Sequence, residues 1–273
     1  FQEKTGSDLV RHLKDLSVKG APRALILDLR NDPGGLLNSA IGVSAAFLQP
    51  NALVVSTDGR VADAKHKYLA AASDYARGES DYLVGLPAWV KTIPMVVLVN
   101  VGSASASEIV AGALQDHKRA LIMGNRTFGK GSVQVILPIS ENTAIKLTTS
   151  RYYTPKGRSI QATGIVPDEV VADTAEGDLF RVPREADLQR HLSNRQNEAE
   201  VKGTVDEPLL ADTTKMFTFG APDDFQLQQA INFLDGKPVQ KAVARPKAVT
   251  AAQTSEGTSA KAASPSEGAA GRK

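Results

Sequence analysis

Residues Met95–Gln134 read MVVLVNVGSASASEIVAGALQDHKRALIMGNRTFGKGSVQ. Pro94–Asn100 is an apolar run of strand length with no polar residue until its last position, the pattern of a strand buried on both faces. It breaks at Gly102 into alternating serines and alanines, and a helix is expected from about Ser105 to Lys118. A second strand is expected over Ala120–Gly124, followed by a lysine, Lys130, held between two glycines. Strand, small-residue turn, helix and strand form the unit from which parallel sheets are built. The fold class is therefore α/β.

The neighbouring sequence repeats that grammar. Ala24–Arg30 is another short apolar run, expected to be buried on both faces, and Asn31–Gly35 (NDPGG) is a turn. The next helix carries Leu37, Ile41, Ala45 and Leu48 on one face. Before it, Leu9, Val10, Leu13 and Leu16 have helical spacing, with Thr5 or Ser7 as N-cap and Gly20 and Pro22 as the stop. Val54–Thr57 reads as a strand and Asp58-Gly59 as a turn. Ala62–Ala76 reads as helical and Arg77–Pro87 as loop, so 58–90 is expected to be an insertion over an active-site face. Val133–Pro138 and Thr143–Tyr152 form a hairpin pattern around Ser140–Asn142, which adds antiparallel strands. Arg158–Ile165 is loop-like, and helices are expected at Glu185–Leu192 and Phe225–Leu234.

The 273 residues, 42% hydrophobic and 23% charged, suffice for a sizeable core. No apolar run reaches the roughly 20 residues of a membrane-spanning helix. Zero cysteines exclude thiol catalysis and cysteine metal sites. The overall charge of +2 conceals an asymmetry: residues 241–273 hold six Lys/Arg against Glu256 and Glu267, a net of +4, which leaves the body at −2. That balance argues against a nucleic-acid partner. Beyond Lys241 valine is the only large apolar residue, and 241–273 is expected to be a disordered tail. The expected divisions are 1–172 as the core, 173–240 as a helical extension packed on it, and that tail.

The candidate chemistry lies at Ser103, Ser105 and Ser107, just past the carboxyl end of a buried strand, where α/β sheets bind ligands. A serine there sits at a helix N-terminus, whose free N–H groups and dipole favour developing negative charge. A nucleophile with an oxyanion hole fits this place. The bland alternative is a capping box, Ser105 with Glu108, and on local pattern alone capping is the commoner role. No base is evident among His12, His66, His117 and His191, none of which is bracketed by small-residue turns. No HExxH pattern points to a metal. Lys130 is flanked by Gly129 and Gly131 and by apolar positions; lysine becomes a general base when desolvation lowers its pKa. An anion-binding or plain surface lysine is the alternative. A P-loop is excluded, because Asn125 stands where its glycine belongs and a strand follows instead of a helix.

GSASASEIVAGALQD, FGKGSVQ, LDLRNDPGG and KLTTSRYYTPKGRSIQ together closely resemble the C-terminal processing (tail-specific) serine peptidases over about residues 1–172. The resemblance implies a crotonase-like (Clp protease/crotonase) α/β core with a mixed β-sheet and flanking helices. It implies a Ser/Lys dyad: Ser105 as nucleophile, Lys130 as general base and Gln134 orienting the lysine, on one strand face by the even step of four. Backbone N–H groups of Ala106 and of Gly34 or Gly35 would form the oxyanion hole, with Asp28 and Arg30 bracing the glycine turn. No cofactor or metal is implied. The expected partners are proteins or peptides with exposed C-termini, an adaptor or regulatory lipoprotein, and a membrane reached through an N-terminal region, in the periplasm or cell envelope. The family usually carries a PDZ domain upstream, and a chain opening at Phe1 is expected to be the downstream part of a longer enzyme. The rival readings are an inactive binding or scaffold module on the same fold and an acyl-CoA-type crotonase enzyme, which does not use this serine and lysine.

Overall fold

A computed structural model describes residues 1–78, 80–179, 182–194, 196 and 217–241. The first helix, α1, spans Thr5–Leu16, with Val10 and Leu13 buried. Its N-cap is Lys4, not Thr5 or Ser7: the Thr5 hydroxyl accepts from the Gln2 N–H and the Ser7 hydroxyl donates to the Lys4 carbonyl. β1 spans Leu25–Asp28 and α2 spans Leu37–Phe47. α2 is buried from Ser39 through Phe47 on every side, since it packs against α1 and two later helices. The single apolar face expected of it understates its burial. β2, Leu53–Gly59, takes in Asp58 and Gly59, which were expected to form a turn. β3, His66–Leu69, pairs antiparallel with β2 where a helix was expected, and only Ala72–Tyr75 (α3) is α-helical in that stretch.

β4 (Met95–Val99), α4 (Ala106–Asp116) and β5 (Leu121–Gly124) follow as anticipated. β6 (Ser132–Ser140) and β7 (Thr143–Tyr153) form the hairpin, and β8 is the short Glu169–Val170. Of the two late helices, Glu185–Leu192 reduces to a single 3-10 turn at Glu185–Asp187, whereas α5 spans Phe225–Leu234. Most of the expected tail, 242–273, lies outside the described residues.

The strands sort into two sheets. One is parallel throughout, ordered β1-β4-β5-β8, and the other is antiparallel, ordered β3-β2-β7-β6. The expected α/β core is present, with parallel and antiparallel pairing divided between sheets. β1 lies at an edge, and its residues are half-buried or exposed, where complete burial was expected. β4 lies between β1 and β5 and is buried at every position. Its alternate side chains serve two cores, as the period of two in a strand requires. Met95, Val97 and Val99 join Ile41, Phe47, Val54, Ile109 and Leu114 in the main core. Val96 and Leu98 join Met123, Val171 and Ala230 beneath α5.

The segment between α3 and β4 packs on the early helices. Tyr82 lies against Gly6 of α1 and Gly42 of α2, and the Trp89 indole donates to the Ser17 hydroxyl at 2.8 Å. Within the expected insertion at 58–90, this part forms a clasp around the first two helices. Parallel pairing brings the carboxyl ends of β1 and β4 to one edge, so the glycine turn and the serine turn emerge side by side.

Candidate active site

The three serines of the turn do different work. The Ser103 hydroxyl is fully buried, donates to the Leu29 carbonyl at 2.8 Å and accepts from the Asn100 N–H at 3.0 Å. The Ser107 hydroxyl, also fully buried, donates to the Asp32 carbonyl at 2.9 Å. Both tie the serine turn to the end of β1. Ser105 is half-buried and its side chain makes no cap hydrogen bond to α4. The capping-box pair with Glu108 is present in outline, but its firm arm is the Ser105 backbone N–H, which donates to the Glu108 carboxylate at 2.8 Å. The competing structural role for the hydroxyl is thus weakly made.

Ser105 has φ 55° and ψ −110°. That backbone region is sparsely populated for any residue with a Cβ and costs on the order of 1–3 kcal/mol. Such a sharp strand-to-helix turn lifts a side chain out over the sheet edge, as the strained elbow of many serine hydrolases does. Gly34 supports the turn from the side. It has φ 91°, and a Cβ there would lie 2.5 Å from the Ala104 carbonyl oxygen and 2.9 Å from the Ser105 Cβ. Only glycine fits so close to the serine in that conformation.

The backbone N–H groups of Gly35, next to Gly34, and of Ala106, next to Ser105, have no hydrogen-bond partner among the described residues. Gly34 is a poorer donor, because its N–H already donates to the Asp32 carboxylate at 2.8 Å. Of the two glycines expected to complete an oxyanion hole, the hydrogen bonding therefore favours Gly35. Phe1 brackets the turn, its amino group donating to the Gly34 carbonyl at 2.8 Å and its carbonyl accepting from the Leu36 N–H at 2.9 Å.

Lys130 precedes β6 in a loop pinned at several points. Gly129, with φ 99°, allows the bend, and its carbonyl accepts from the Ala162 N–H. The Gly131 N–H donates to the buried Gln161 side chain at 3.1 Å, and the Phe128 N–H donates to the Ser103 carbonyl at 3.0 Å. The loop joins the serine turn through Glu108. This carboxylate accepts from the Thr127 hydroxyl at 2.5 Å, the Gly129 N–H at 2.6 Å and the Lys130 N–H at 2.9 Å, besides the Ser105 N–H. The Ser105 and Lys130 backbones thus meet on one oxygen atom, Oε2 of Glu108. Burial pushes the Glu108 carboxyl up to about 7 against the pull of those four donors. In the sequence Glu108 stands out only as the third helix residue of a cap, since its partners at 127–130 are remote in the chain. A carboxylate among the small apolar residues of α4 is the one signal available there.

No hydrogen bond joins the Ser105 hydroxyl to the Lys130 amine, and none joins Lys130 to Gln134. Gln134 is exposed, Lys130 lies before the strand, and a register shift separates Val133 from Gln134. An even step of four therefore does not set the two on a shared strand face. The histidines lie elsewhere: the His117 Nε2 is 2.7 Å from the Leu53 carbonyl, the His191 Nδ1 is 2.8 Å from the Leu188 carbonyl, and His66 packs on Tyr68. Among the described residues no cluster of His, Cys, Asp and Glu could hold a metal ion, and no helix is long and apolar enough to cross a membrane.

An α/β core that sets a strained serine and a glycine turn at the carboxyl edge of its parallel sheet has the frame of a serine hydrolase. The chain belongs to peptidase family S41, whose family model matches residues 1–171. A carboxy-terminal-processing protease of Bartonella bacilliformis is 40% identical over 244 residues, covering 87% of this chain and 50% of that protein. The structure of a photosystem II D1 C-terminal processing protease superposes with a TM-score of 0.50 at 34% identity, over 63% of this chain and 40% of that one. A putative S41 protease of Bacteroides fragilis shares the fold, with a TM-score of 0.53 at 17% identity, over 84% and 49% of the respective chains. The chain spans no more than half the length of these proteins.

Proposed function

We propose that this chain carries the catalytic unit of a serine endopeptidase that cleaves protein substrates near their C-termini, with Ser105 as nucleophile and Lys130 as general base. The observation that carries the reading is the Glu108 carboxylate, which draws the strained Ser105 turn and the Lys130 loop onto a single oxygen. Lys130, as general base, removes the Ser105 proton as Oγ attacks the scissile carbonyl carbon. The Gly35 and Ala106 N–H groups receive the resulting oxyanion. The protonated lysine gives its proton to the leaving amine; a water molecule, deprotonated in turn by Lys130, then attacks the acyl carbon, and the Ser105 Oγ leaves, taking that proton back from the lysine. The orienting role of Gln134 rests on the family resemblance alone, since here it is exposed and makes no hydrogen bond to Lys130.

Substrates on this reading are unfolded or extended chains with exposed C-termini, in line with the C-terminal processing for which the similar proteases are named. A setting in the periplasm or cell envelope, an adaptor or regulatory lipoprotein, and membrane association belong to the same proposal through the family resemblance. The division into a core over 1–172, an extension over 173–240 and a tail is likewise proposed. One observation favours an inactive binding module instead: the serine hydroxyl and the lysine amine are not hydrogen-bonded to each other. Catalytic hydrogen bonds commonly tighten only once substrate is bound, which keeps the enzyme reading ahead. Incubation of the chain and its Ser105→Ala variant with an unfolded substrate ending in apolar residues tests this. Cleavage by the parent alone is expected; equal cleavage by both, or by neither, contradicts it.

A further inference from the structure

Arg30 is buried at the exit of β1, and each of its five N–H groups finds an acceptor. The Nε donates to Asp28 Oδ1 at 3.0 Å; one terminal nitrogen donates to Asp224 at 2.8 Å and Gln226 at 3.1 Å; the other donates to Asp28 at 2.7 Å and Asp224 at 2.6 Å. The guanidinium also lies 4.6 Å from the centroid of the Phe219 ring. Asp224 is fully buried, caps α5 through the Leu227 N–H at 3.1 Å and accepts from the Gly220 N–H at 2.8 Å. Gln226 in turn donates to the Val171 carbonyl at 2.8 Å. Three residues of the C-terminal segment, outside the matched 1–171, therefore hold one side chain at the root of the glycine turn.

A buried ion pair is a poor means of stabilising a helix, because desolvation offsets most of the attraction. It does fix direction, since the planar guanidinium locks five donor vectors at once. The chain runs from Arg30 directly into the glycine turn, which is anchored in its own right to the serine turn. The Asn31 N–H donates to the Asn100 side chain at 2.9 Å, and the Asp32 carbonyl accepts from the Ala104 N–H at 3.0 Å and from Ser107. The Asp32 carboxylate then holds the Gly34 N–H, beside Ser105.

We propose that Asp224, with Phe219, is a positioning residue for the oxyanion turn, gripping Arg30 so that the Gly35 N–H is held where it can receive the oxyanion formed at Ser105. The inference rests on the peptidase reading for its catalytic consequence and on hydrogen exchange for its structural one. Asp224→Asn keeps an effective N-cap and loses the charge. Amide exchange over residues 31–35, read at the hydrogen-bonded N–H groups of Asn31, Asp32 and Gly34, is expected to accelerate on the order of 10-fold, while α1 is unchanged. With the peptide substrate, kcat falls on the order of 10-fold and KM stays within about twofold, the signature of a misplaced transition-state donor. Phe219→Leu, which leaves the ion pair intact, moves both readouts in the same direction and less far, and decides the matter if Asp224→Asn does not fold. Ala230→Gly weakens α5 away from Arg30 and is expected to lower the melting temperature without changing kcat. Unaltered exchange at 31–35 in folded Asp224→Asn overturns the inference, as does an equal loss of kcat in Ala230→Gly. If the parent chain does not cleave, the peptidase reading fails, and exchange still decides the positioning role.

Discussion

Ser105 carries strain that its neighbours hold in place. Its φ of 55° is maintained by the Glu108 carboxylate on its N–H and by Gly34 against its Cβ. Replacing it with alanine keeps the Cβ and hence the strain, so Ser105→Ala is expected to melt with the parent while losing activity. Ser105→Gly relieves the strain at some cost in chain entropy, and is expected to be more stable than Ser105→Ala by about 1 kcal/mol in chemical denaturation. A lower stability for the glycine variant contradicts a strained turn. Glu108 titrates within the physiological range, with burial setting its carboxyl at about 7. Its folded value is raised, so its contribution to stability is fully present below the ordinary glutamate range and is lost as pH rises through about 7. The ionised form is the one that accepts from all four donors, so activity is expected to rise across that same window. Glu108→Gln, which cannot ionise, is expected to flatten the stability–pH curve between about 4.5 and 7 and to lower kcat at least 10-fold, since its amide nitrogen meets donors. A pH titration of melting temperature beside a pH–rate profile checks both halves.

The elements show where sequence patterns are informative. β4, α4, β5 and the β6–β7 hairpin were legible because each is long or strongly apolar for its type. α5 was legible from its helical spacing, and its cap Asp224 fits the expected chemistry. β3 was not: four residues beginning with His66 and Lys67 carry no readable period, and their strand state comes from pairing with β2. Asp58 and Gly59 look like a turn locally, yet they pair with Arg151 and Ser150 of β7, a contact no local pattern reveals. The 3-10 turn at Glu185–Asp187 begins where the chain docks on the lysine loop: the Glu185 N–H donates to the Phe128 carbonyl at 3.1 Å, and its carboxylate accepts from Gln161. Gln161 is the pivot of that docking, joining the Gly131 N–H, Glu185 and the Leu192 carbonyl while fully buried. Gln161→Ala leaves a buried N–H without a partner and is expected to cost about 1–3 kcal/mol in denaturant unfolding. Loss of activity should exceed loss of stability, because the loop that carries Lys130 loosens.

Across the whole molecule, the parallel sheet brings two chain reversals to one edge, and the remaining elements hold them there. α1 and the clasp around Tyr82 cover α2, while α5 and its smaller core brace β4 from the opposite face. The candidate residues were legible because serines, glycines and lysine stand in short motifs. The residues that orient them were not, because Glu108, Gln161, Arg30 and Asp224 act over roughly 20 to 200 positions of sequence. The proposed pairing of Ser105 as nucleophile with Lys130 as base is open to test by covalent trapping. Intact-mass and peptide mapping after treatment with a fluorophosphonate is predicted to show one adduct, on Ser105, formed much more slowly in Lys130→Ala. An adduct on another serine, or one on Ser105 at an unchanged rate without Lys130, would contradict that pairing of nucleophile and base.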